Sequence, residues 1–197
     1  MPPWHKLPGS PSSNPLATES AVLKLHSMSK SKPRSSATEI AVVGDVDDWE
    51  ADVIKALLEV PPRGACVFYI DSAGGSVFGA LAVLTLLKHR ALDATAIVLG
   101  ECSSAALLLF AGCRRRLVTR YSTLLFHRMR WQSEKRIGSF EAEHWARHFG
   151  EMEHDIDDLQ ARLFGTGEEQ IRAWTAESQY VTGAQIVAAG LAEMFEL

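Results

Sequence analysis

Two clusters of small residues and hydroxyls could do chemistry. The first is Gly100-Glu101-Cys102-Ser103-Ser104-Ala105-Ala106, which opens the apolar run Leu107-Leu108-Leu109-Phe110. A serine at a helix start is commonly a cap that accepts a backbone hydrogen bond. It can also be a nucleophile at the positive end of a helix, beside N–H groups that stabilise an oxyanion. The second cluster is Asp71-Ser72-Ala73-Gly74-Gly75-Ser76. Two glycines there let the backbone approach a ligand, or turn the chain into a helix capped by Ser76. No Gly-Lys-Ser/Thr step follows, so this is not a phosphate loop. A serine nucleophile needs a base, and His127, at the end of Thr123-Leu124-Leu125-Phe126, is the candidate. His5 and His26 lie near the N-terminus, His89 ends a helical stretch, and His144, His148 and His154 lie within another. Cys66, Cys102 and Cys113 sit in apolar stretches at no metal-ligand spacing. They read as reduced, packed thiols of a cytoplasmic protein, and Cys102 as a core residue rather than a nucleophile.

The elements that must position these residues can be read from periodicity. Ile40 to Gly44 is a short β-branched strand, and Asp47-Asp48 caps a helix carrying Trp49, Val53, Ile54, Leu57 and Leu58. Pro61-Pro62 stops it. Ala65 to Ile70 and Ala94 to Leu99 are apolar throughout, as strands covered on both faces are. Val77 to His89 and Ser103 to Ala111 read as helices, and Arg116 to Val118 and Thr123 to Phe126 as short strands. Alternating strands and helices predict an α/β layered fold with a mostly parallel sheet. Sites in such sheets form at the C-terminal ends of strands, where both unusual turns fall. From Trp145 the residues Phe149, Met152, Ile156, Leu159 and Leu163 recur at alternating four- and three-residue steps. They predict one apolar face on a long helix, Ser139 to Phe164. Short helices near Glu168 to Trp174 and Gly183 to Ala189 follow.

Residues 1–38 differ from the rest. They hold six of the eight prolines and nine serines, and read as a disordered tail, with Leu16 to Met28 its one stretch able to form a local element. Residues 39–197 form the folded domain. The net charge of −4 argues against a dedicated nucleic-acid binder. No apolar run approaches the roughly 20 residues of a membrane span. The arginines at 114, 115, 116, 120, 128, 130 and 136 make a basic middle, read as a solvated face, with a subunit contact or acidic-peptide groove as alternatives.

The Gly-Gly-Ser-Val turn, the serine at a small-residue helix start, the Phe-His strand end and the long helix together resemble the Clp protease proteolytic-subunit family, of the ClpP/crotonase superfamily. The chain is similar in particular to divergent bacterial ClpP-like proteins with a Gly-Glu-Cys-x-Ser-Ala start. That start reads here Gly100-Glu101-Cys102-Ser103-Ser104-Ala105, followed by Phe110-Ala111-Gly112-Cys113-Arg114-Arg115. The resemblance covers about Glu39 to the C-terminus.

The resemblance implies a serine peptidase of ClpP/crotonase-like fold acting on peptides or unfolded chains without metal or cofactor. Ser104 matches the nucleophile and His127 the general base. The N–H groups of Gly75 and Ala105 match the oxyanion hole. The resemblance also implies a homo-oligomer packed through helix 139–164, and an ATP-dependent unfoldase as partner. Two positions depart from the pattern. Ala73 stands where proline is usual, and Ser178, before Gln179-Tyr180-Val181-Thr182, stands where the triad acid belongs. Serine can accept a hydrogen bond from the imidazole but cannot stabilise imidazolium by charge. Glu177 is one residue away. The alternatives are a catalytically impaired ClpP-like subunit that assembles or binds, and a crotonase-type acyl-CoA enzyme.

Overall fold

The computed structural model of the protein describes residues 37–133 and 136–197. Chain order is β1 (Thr38–Asp45), α1 (Val46–Glu59), β2 (Ala65–Gly74), α2 (Val77–His89), β3 (Asp93–Ser103), α3 (Ala106–Gly112), β4 (Arg115–Val118) and β5 (Thr123–Leu125). It continues α4 (Ser139–Phe164), α5 (Glu168–Ala176), β6 (Tyr180–Thr182), α6 (Gly183–Ala188) and β7 (Glu193–Met194). The expected tail lies outside the described residues except for Ala37 and Thr38, and Thr38 is already the first residue of β1. Among the described residues, no helix is long and apolar enough to cross a membrane.

The fold is α/β, as expected. Strands β1-β2-β3-β4-β7 form a parallel sheet in that order. β3 pairs with β4 over Thr95–Ile97 and with β5 over Glu101–Ser103, and β6 runs antiparallel to β5. The C-terminal ends of β2, β3 and β5 therefore meet at one edge. Alternate residues of β2 and β3 are buried, including Phe68, Ile70, Ala96 and Val98. Every residue of α3 is buried, and each of its leucines contributes roughly 1.5–3 kcal/mol of burial.

Several boundaries differ from the sequence reading. α1 is capped by Asp45, not Asp47. The Asp45 side chain accepts from Asp47 N–H at 3.1 Å, and Asp48 returns the bond by accepting from Asp45 N–H at 3.2 Å. β3 does not stop before Gly100, because β5 supplies a new partner just beyond it. A Cβ on Gly100 would lie 2.9 Å from Asp71 Oδ1, which accepts Glu101 N–H at 2.9 Å. The glycine thus makes room for a contact between β2 and β3 and does not end the strand. α3 correspondingly starts at Ala106 rather than Ser103.

The basic run is only partly a solvated face. Arg114 pairs with Asp93, and Arg115 with Glu193 at 2.8 Å. Arg116 is half-buried. It donates to Leu191 C=O at 2.6 Å and Cys113 C=O at 3.1 Å, and stands over the Phe164 ring at 5.4 Å. Helix α4 spans the expected residues, but its apolar stripe has two fates. Ile156, Leu159 and Leu163 pack against the core, while the N-terminal half has no buried residue and Phe140 is 74% exposed.

Candidate active site

The two unusual turns interlock. Gly74 (φ 103°) and Gly75 (φ 126°) end β2 in backbone conformations that side chains resist. A Cβ on Gly74 would fall 2.6 Å from Ser104 Cβ and 3.0 Å from Ala105 N. Ser72, buried, fixes the turn from below: its hydroxyl donates to Gly44 C=O at 2.6 Å and accepts from Gly74 N–H at 3.2 Å. Trp49 of α1 also donates to it, at 3.3 Å. Ser76 caps α2 by accepting from Gly79 N–H, which is the structural role expected of it.

Ser104 lies between β3 and α3 with φ 54°, a left-handed conformation that costs a non-glycine residue about 1–3 kcal/mol. Its N–H donates to Leu125 C=O at 2.9 Å, and Ser103 Oγ accepts from Leu125 N–H at 3.2 Å. β5 thereby holds both sides of the turn. Among the described residues, no acceptor pairs with the N–H of Gly75 or of Ala105.

Ser104, Ala105, Gly75 and His127 line one cavity of about 440 Å³. His127 follows β5 and is half-buried, with Nδ1 at 2.6 Å from Arg128 C=O. A carbonyl only accepts, so Nδ1 donates here, and in the neutral ring that tautomer leaves the lone pair on Nε2. No hydrogen bond joins Ser104 Oγ to His127 among the described residues. Such bonds are often long before substrate binds.

Ser178 is placed differently. It lies beyond α5 with φ 49°, is exposed, and does not line the cavity. Antiparallel pairing of Leu125 with Tyr180, continued by the Phe126 N–H to Gln179 C=O bond at 3.0 Å, brings its backbone opposite His127. Its hydroxyl makes no hydrogen bond among the described residues. Cys102 is fully buried, and burial pushes its thiol well above the ordinary range, so it packs rather than reacts.

The sequence reading missed the contribution of α4. Glu153, Asp157 and Gln160 line the same cavity. Glu153 accepts from Met129 N–H at 3.1 Å and pairs with Arg128 at 3.3 Å, which holds the segment presenting the Arg128 carbonyl to His127. Asp157 accepts from Thr175 Oγ1 at 3.3 Å. Burial, with Glu153 adding to it, pushes its carboxyl up, against the pull of Thr175, Arg172 and Arg128. A signal was present, for residues 153, 157 and 160 repeat the four- and three-residue step one position beside the apolar stripe.

Ser104 is thus held against Gly74 and lines one cavity with His127. The chain is 28% identical over 155 residues to the ATP-dependent Clp protease proteolytic subunit 1 of Corynebacterium diphtheriae, covering 75% of this chain and 73% of that one. The protein of the same name from Corynebacterium glutamicum is 28% identical over 155 residues, covering 75% and 74%. The ATP-dependent Clp protease proteolytic subunit of Bacteroides fragilis is 24% identical over 146 residues, covering 71% and 70%. The Clp protease family model matches residues 29–195. With most of its length inside that match, the chain belongs to the Clp protease family.

Proposed function

We propose that residues 39–197 form a serine peptidase domain that cleaves peptides or unfolded chains. Ser104 Oγ attacks the substrate carbonyl and His127 Nε2 takes its proton. The N–H groups of Gly75 and Ala105 receive the oxyanion of the tetrahedral intermediate, and His127 then protonates the leaving amine. Losing one such donor costs about 10²–10³ in rate. The observation that carries the reading is convergence: two N–H groups without acceptors among the described residues, a serine and a base, all from residues lining one cavity. The Arg128 carbonyl holds the imidazole in the useful tautomer but offers a dipole where a carboxylate would offer a charge. Turnover is therefore slow.

We further propose that the chain acts as a homo-oligomer packed through the exposed half of α4. The relatives are named as ATP-dependent proteolytic subunits. For this chain we assign energy-driven unfolding to a partner. Three free, buried cysteines suit a reducing compartment, and we place the protein in the cytoplasm.

A second reading, a ClpP-like subunit that assembles without catalysis, draws support from Ser178 at the acid position. A fluorophosphonate probe on the assembled protein, with the adduct mapped by mass spectrometry, separates the two. Labelling at Ser104 supports the peptidase. An unlabelled chain establishes the silent subunit.

A further inference from the structure

The cavity holding Ser104 and His127 has apolar walls, among them Leu107, Leu108 and Ile156, but α4 adds three polar groups to its lining: Glu153, already paired with Arg128, and Asp157 and Gln160. Gln160 is only 8% exposed, and its Oε1 has no hydrogen-bond partner. A buried amide oxygen without a donor costs about 1–3 kcal/mol, so this side chain is placed at an expense that packing alone does not explain. Rotating the amide about its last bond exchanges oxygen for nitrogen, so the oxygen can be offered to the cavity. Asp157 accepts one bond, from Thr175, and a carboxylate can accept several. Neighbouring cations are engaged elsewhere: Arg128 with Glu153, and Arg172 with Asp158 and Glu168. Arg130 also lines the cavity, but is itself exposed.

We propose that this cavity receives the side chain of the residue whose carbonyl is attacked, and that Asp157 and Gln160 make it select lysine or arginine. The proposal rests on the Ser104 reading and supplies its substrate class. The aliphatic stem of a basic residue lies along Leu107, Leu108 and Ile156, and its head donates to the carboxylate and the amide oxygen. A purely apolar side chain would leave both acceptors desolvated and unpaired, which binding pockets penalise heavily. An acidic side chain would meet a like charge. Burial already raises the Asp157 carboxyl, and a cation beside it would favour the ionised form.

The test uses short peptides identical except for lysine, arginine or norleucine at one position; norleucine keeps the stem and loses the charge. Binding to the Ser104→Ala protein is read by fluorescence anisotropy. The lysine and arginine peptides should bind about tenfold or more tighter than the norleucine peptide. Asp157→Asn or Gln160→Met, each combined with Ser104→Ala, should erase most of that ratio. Equal affinities, a preference for norleucine, no binding at all, or a ratio unmoved by both variants each overturns the proposal. In parallel, wild-type protein is treated with diphenyl phosphonates bearing the same three side chains, and adducts are mapped. Fastest reaction of the norleucine reagent at Ser104 would uphold the peptidase and defeat the selectivity. Selective binding without any adduct would uphold the pocket and defeat the peptidase.

Discussion

Ser104 and His127 act as one unit in the proposed mechanism, so their losses do not add. Ser104→Ala and His127→Ala should each drop hydrolysis of an activated ester to a similar floor, and the double variant should fall no further. Unchanged turnover in Ser104→Ala would reject the nucleophile. The imidazole is oriented by the Arg128 carbonyl, and replacing a triad carboxylate by a neutral group has cost about 10⁴ in turnover elsewhere. Ser178→Asp, opposite His127 in the strand pairing, should therefore raise turnover, by about tenfold or more. No gain would mean that the backbone there does not aim a carboxylate at the ring. Asp157 makes a stability prediction with a definite sign. Its folded-state pKa is raised by burial, so ionisation disfavours the fold. Its contribution is present below the unfolded pKa and lost as pH rises through the folded one. Asp157→Asn should accordingly raise Tm at pH 7, and the difference should close as pH falls below about 4. A variant that melts lower at neutral pH would show that the carboxylate is paired more strongly than its single Thr175 bond implies.

At the scale of elements, Arg116 joins parts distant in the chain: the end of α3, the Phe164 ring of α4 and the Leu191 carbonyl before β7. Arg116→Ala strands those carbonyls and should cost about 2–4 kcal/mol in urea denaturation. Arg116→Lys should recover little, because an ammonium cannot fork between them. Full stability in the lysine variant would reduce the role to charge alone. The arginine triplet shows where sequence reading stops. Three neighbours of one residue type suggest one role, yet alternation along β4 sends Arg116 inward and Arg115 to Glu193. The strand–helix order, the long α4 and the two small-residue turns were legible because apolar period and glycine placement carry them. The ends of β2 and β3 were not, since Gly100 serves the Asp71 contact rather than a chain stop. The Arg128 carbonyl was invisible for a plainer reason: a backbone acceptor has no residue-type signature. Asp157 and Gln160 were hidden by a stripe read only for its apolar members.

For the whole molecule, the proposed association rests on the half-covered stripe of α4. Phe140 and Trp145 stand on the part of the helix with no buried residue. Phe140→Asp with Trp145→Glu should turn the oligomer into monomers in light scattering, with the fold intact by circular dichroism. Wild-type protein that is monomeric across micromolar concentrations would defeat the assembly. The same helix also builds the cavity. Trp131 stacks on Phe149 at 5.4 Å and meets Trp145 edge-on at 5.1 Å, and both Trp131 and Phe149 line the cavity that reaches Ser104. In the proposed homo-oligomer, α4 meets its neighbour through Trp145, whose ring packs on the Trp131 that braces the proposed substrate entrance. Dilution would loosen the entrance as it separates the copies, so specific activity would fall and total activity would drop faster than protein concentration. The amount of the enzyme present would then be its own effector, switching hydrolysis on only where enough copies have gathered.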